Sequence, residues 1–165
     1  MRKNFLILII ITLLLIRSSY SKDQATARRL DEVACRGAMI MPFSLERTKH
    51  QFTKTKDGGF QQVLAKDGAD SAQIQLIQTH LSMISNQFKR GDFSGPAKIH
   101  GGDMPGLKEL ESARPGTIKI RYSDLPKGAE IVFSTIQEKY IEAIHRYFDA
   151  QLHDHARHAA SGHIH

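Results

Sequence analysis

Twice along this chain a period-two strand pattern, broken by a turn, gives way to an apolar stripe at helical spacing. That alternation limits the fold more than any other feature. In the first instance Asp57-Gly58 interrupts the stretch 49–66. Both residues tolerate the positive φ that a two-residue hairpin turn needs. With them at the tip, Phe52 faces Val63 and His50 faces Ala65, all on the sheet face that should be buried. A longer turn that takes in Gly59 changes the pairing. Asp70 or Ser71 then caps a helix from Ala72 to about Arg90, with Gly91 to end it. Ile74, Ile77, Leu81, Ile84 and Phe88 form its buried stripe, and Leu76, His80 and Met83 run beside it.

In the second instance Ile118, Ile120 and Tyr122 alternate with Lys119 and Arg121, residues 124–128 turn, and Glu130 to Thr135 return. A helix from Gln137 to about Leu152 comes next, with Ile141, Ile144, Phe148 and Leu152 on its buried face and His145 touching that face. The order predicts an α+β two-layer sandwich, ββαββα: a four-stranded antiparallel sheet with two helices on one face. Between the halves, residues 92–116 are rich in glycine and carry Pro96, Pro105 and Pro115. They read as a long functional loop with a short helical piece at Leu107 to Ser112.

The start of the chain reads as a signal peptide. Arg2 and Lys3 precede an apolar run from Phe5 to Ile16, and Ser19 and Ser21 stand at −3 and −1 to a cut before Lys22. The run is about 12 residues, or about 18 Å of helix, against about 30 Å of bilayer core. An uncleaved anchor is the alternative. The expected product is periplasmic or secreted, with no stable membrane insertion after cleavage. Its parts are a flexible arm over 22–40, the α+β domain over 41–152 and a histidine-rich tail over 153–165.

Loss of residues 1–21 removes Arg2, Lys3 and Arg17 but no acid, so the formal charge of +6 falls to +3. A charge this small, with lysines scattered among acids, leaves no nucleic-acid footprint. Cys35 is the one cysteine, which excludes an intrachain disulfide. Pairing between chains, and so a homo-oligomer, stays open.

Nine histidines are more than 165 residues ordinarily carry, and they fall into two sets. His50, His80, His100 and His145 lie within the domain on separate elements. Imidazole is the commonest protein ligand for transition metals, and a site needs several that converge. The glycine-rich loop can bring His100 across, with Asp103 or Met104 beside it. Methionine sulfur favours copper(I), and Asp103 favours zinc. In the tail, His153, His155 and His158 offer a secondary metal site, His155 and His158 at helix-compatible spacing, before His163 and His165 end the chain. The bland alternative is that each histidine is hydrogen-bonded in the core or at the surface. No H-E-x-x-H, C-x-x-C, C-x-x-C-H, G-x-S-x-G or phosphate-binding glycine loop occurs.

Six stretches together carry a resemblance: 41–45 (Met-Pro-Phe-Ser-Leu), 50–59 (His-Gln-Phe-Thr-Lys-Thr-Lys-Asp-Gly-Gly), 65–67, 90–93, 99–106 (Ile-His-Gly-Gly-Asp-Met-Pro-Gly) and 148–151 (Phe-Asp-Ala-Gln). Over about 41–158 the chain resembles a family of short bacterial proteins, some of which carry the label aspartate carbamoyltransferase. The residues do not support that chemistry: a transcarbamoylase is about twice as long, and no Ser-Thr-Arg-Thr type run occurs here. Family members are often bare domains, so the leader and the tail are departures.

Three functions are consistent with these residues. The first is an exported copper- or zinc-binding protein that sequesters or delivers the ion in the cell envelope. The second is a small enzyme with His100 as base and Asp103 as its partner. The third is a structural or protein-interaction module with hydrogen-bonded histidines.

Overall fold

The computed structural model describes residues 26–155 and 159–162; the leader over 1–21, His158, His163 and His165 lie outside them. The chain divides into two compact units, Met1–Glu32 and Val33–His165. Of the first, the described part is helical, and Arg28 Nε donates to Glu32 Oε1 at 2.9 Å across one turn. The helix, α1, covers 26–40, within the segment read in sequence as an arm with room for a short helix around Ala25 to Ala34.

In the second unit, strands β1 (Thr48–Thr55) and β2 (Gly58–Ala65) form the first hairpin, and α2 (Ser71–Lys89) succeeds them. Two short helices come next, α3 (Ser94–His100) and α4 (Leu107–Ser112). The second hairpin is β3 (Lys119–Leu125) with β4 (Gly128–Ser134), then α5 (Glu138–Asp154) and β5 (Ala159–Ser161). The sheet order is β3-β4-β2-β1-β5. All pairs are antiparallel except β1 with β5, which run parallel.

The α+β class holds, and its details are corrected. The sheet has five strands and is mixed, because after α5 the chain returns along β1 and pairs its open edge. Among the described residues there are five helices: the two expected against the sheet, the short piece expected at Leu107–Ser112, which is α4, and two more, α1 and α3. Of these two, α3 contains Gly95 and Pro96, which in sequence are loop signals. Pro96 sits in the first turn, where its missing N–H would find no helical partner in any case.

The first hairpin turns at Lys56-Asp57, one residue earlier than expected, so His50 pairs with Val63 and Phe52 with Gln61. Each partner moves by two residues, which keeps every side chain on its expected face. Gly58 holds φ at 143°, and a Cβ there would overlap the Phe133 carbonyl of β4. The close approach of β2 to β4 therefore requires glycine.

Helices α2 and α5 cover one face of the sheet. Asp70 caps α2 by accepting from Gln73 N at 3.3 Å. Ile77, Leu81 and Phe88 of α2 and Ile144 and Phe148 of α5 share one core with Phe52, Val63, Ile131 and Phe133 of the sheet. Each such side chain contributes about 1.5–3 kcal/mol on burial. Phe93, Met104, Leu107 and Leu110 fix the segment between the hairpins into the same core. Gly106, at φ 81°, lets that segment lie directly on α5, because a Cβ would overlap the Ala143 carbonyl.

Candidate functional site

Strand alternation points His50 inward, and it is 3% exposed. His100 ends α3, is 1% exposed, and is followed by Gly101 in a conformation with φ 96°. Asp154 is the last residue of α5 and His155 its C-cap, with the His155 N–H donated to Gln151 O at 2.9 Å. The chain then folds back: Ala159 N donates to His155 O at 2.7 Å, and Ala159 lies opposite His50 in the parallel pair. This return seats His155, 4% exposed, between the other two imidazoles. Ring centroids lie 5.2 Å apart for His50 and His155, and 4.9 Å apart for His100 and His155.

His100 Nδ1 stands 2.9 Å from Asp154 Oδ2, with both side chains buried. The Asp154 carboxylate accepts a hydrogen bond from Nδ1–H, which puts the ring's lone pair on Nε2. His153 Nδ1 is 3.4 Å from the other Asp154 oxygen, but its ring is largely exposed.

These imidazoles line one end of a cavity of about 210 Å³. Phe43, Leu81, Ile84 and Phe88 supply apolar walls, and Gln61, Tyr147 and Gln151 add polar groups. His80 also lines it, half-buried and edge-on to Phe43 at 5.6 Å. Burial holds the His80 pKa below the ordinary imidazole value. Tyr147 is fully enclosed, which pushes its phenol well above the usual range, while a hydrogen bond from Gln151 Nε2 at 2.9 Å works the other way.

Of the four internal histidines, His50 and His100 come together, His80 shares their cavity, and His145 does not join them. His145 Nε2–H donates to Thr55 O at 3.0 Å and Gly58 O at 2.9 Å, and so ties α5 to the first hairpin. Met104 is packed in the core, and Asp103 is exposed. His100 therefore has Asp154, not Asp103, as its carboxylate. His155, in sequence a tail ligand, belongs with His50 and His100; His158 lies outside the described residues.

Asp154 and Gln61 are site residues that sequence reasoning missed. Asp154 was legible: Tyr147, Gln151 and Asp154 continue the buried face of α5 at i, i+4 and i+7. Placing the helix end at Leu152 hid it. Gln61 was not legible, since nothing in a glutamine between Phe60 and Val63 shows that a cavity lies above it. Among the described residues, no three His, Cys, Asp or Glu side chains already stand grouped as the ligands of an ion. No family model, curated protein or solved structure matches the chain.

Proposed function

We propose that the protein binds one transition-metal ion at the deep end of this cavity through His50, His100 and His155. The observation that carries the reading is the meeting of three buried imidazoles from three separate elements. Two imidazoles that share an ion at about 2.0–2.1 Å have centroids about 5 Å apart, and the spacings here are 5.2 and 4.9 Å. The Asp154 carboxylate on His100 is the outer partner that a ligating histidine commonly has.

An all-imidazole set suits zinc or copper(II), and three protein ligands leave a coordination position for an exogenous group. With the leader read from residues 1–21, the role is to hold or hand on the ion in the cell envelope. Calorimetric titration of the metal-free full chain with zinc or copper tests the reading. One equivalent should bind with micromolar or tighter affinity, and that equivalent should survive replacement of His158, His163 and His165 by alanine. It should be lost in His50→Ala. Equal binding in wild type and His50→Ala would remove the site.

A second reading rests on the His100–Asp154 pair alone. A buried carboxylate that orients an imidazole beside a cavity is the arrangement of a general base. It predicts that His50→Ala leaves any turnover intact while His100→Ala abolishes it.

A further inference from the structure

Beyond any ion, we propose that the cavity is the binding site for a small uncharged organic molecule, about the size of one substituted ring, that carries an O–H or N–H donor. Three features of the cavity lead there. The first is size. The cavity holds about 210 Å³, several times what an ion and a water need. An engineered apolar cavity of about 150 Å³ takes benzene.

The second is the walls. Phe43, Ile84 and Phe88 give flat apolar surface for a ring, and the flexible thioethers of Met41 and Met83 stand beside them. Met83 is 51% exposed and marks the rim with Lys98, so the cavity has a mouth.

The third is Gln61. Its side chain lines the cavity from β2, only 7% of the residue is exposed, and its Oε1 has no hydrogen-bond partner among the described residues. A buried acceptor without a partner is costly, and an occupant with an O–H or N–H removes that cost. Gln61 pairs with Phe52 on one side and Ile131 on the other, so the residues directly opposite it offer only apolar side chains. Tyr147, which also lines the cavity, accepts at Oη from Gln151 Nε2 and keeps its own proton to donate. Away from the imidazoles, an acceptor on Gln61 and a donor on Tyr147 fit a phenol-like hydroxyl, which can give a proton to the first and take one from the second. An unsubstituted hydrocarbon of the same size satisfies neither group, and a carboxylate cannot donate to Gln61.

The inference shares the cavity of the metal reading but does not depend on it. Its test is therefore run on the full chain in EDTA, by amide-detected NMR titration with phenol and, separately, with toluene. Phenol should shift residues 61, 84, 88 and 147 saturably and bind about tenfold more tightly than toluene, the scale of one buried hydrogen bond. In Gln61→Leu that preference should vanish while toluene still binds; Gln61→Met is the substitute if the leucine variant does not fold. Absence of saturable phenol shifts at these residues, or an undiminished phenol preference in the Gln61 variant, overturns the proposal. Failure here with intact zinc binding would leave the ion site standing, and the reverse result would leave the organic site standing.

Discussion

The carboxylate that touches His100 fixes the orientation of one of three imidazoles buried together. Asp154→Asn keeps the shape beside His100 but removes the charge that orients its proton. Metal affinity should fall about 10–100-fold, as for other outer-partner losses, in a calorimetric comparison with wild type. His80 makes a separate prediction with a fixed sign. Its folded pKa is lowered by burial, so the unfolded chain binds the proton more readily. The stability attached to neutral His80 is complete above the unfolded value of about 6.5 and is lost as pH falls from there through the lower folded value. His80→Gln should flatten that part of a plot of Tm against pH; an unchanged slope would show that His80 does not titrate with folding. At this scale the sequence was only partly readable. His50 on the inner face came from strand alternation alone. The separation of His145 did not, because its contact with Thr55 and Gly58 depends on how α5 lies across the hairpin.

At the scale of elements, the site depends on the residues beyond Leu152. A chain ended there lacks the Asp154 carboxylate, the His155 ring and the strand that pairs with β1. It should lose the tight metal equivalent and melt at lower temperature, read by titration and by circular dichroism; retention of both would contradict the role given to the return strand. Gly106→Ala probes the other support. The new Cβ meets both a positive φ and the Ala143 carbonyl, so Tm should fall by the equivalent of about 1–3 kcal/mol or more. The two long helices were legible because their stripes repeat over several turns. Helix α3 is seven residues long and carries glycine and proline in its first turn, so its sequence looks like loop. Its helical form is held by Phe93 and Ile99, which are buried at either end.

For the whole molecule, the cavity arises because two helices and a bent connecting segment close over one face of a mixed sheet. Its deep end joins β1, the end of α3 and the end of α5, segments far apart in sequence. A ligand held by all three should stabilise the folded state by about 2.7 kcal/mol at a hundredfold excess over Kd. The α+β class was available from the ββα pattern repeated twice. The fifth strand was not, since Ala159-Ala160-Ser161 has no β-branched or aromatic residue and pairs only because β1 offers an open edge. That return strand is also what seats His155.

X-ray absorption at the metal edge, on the full chain loaded with one equivalent of zinc, tests the central claim most directly. The account predicts about three imidazole nitrogens at about 2.0–2.1 Å, with one fewer in His155→Ala. A shell of water and carboxylate oxygens, or one unchanged by loss of His155, would contradict it.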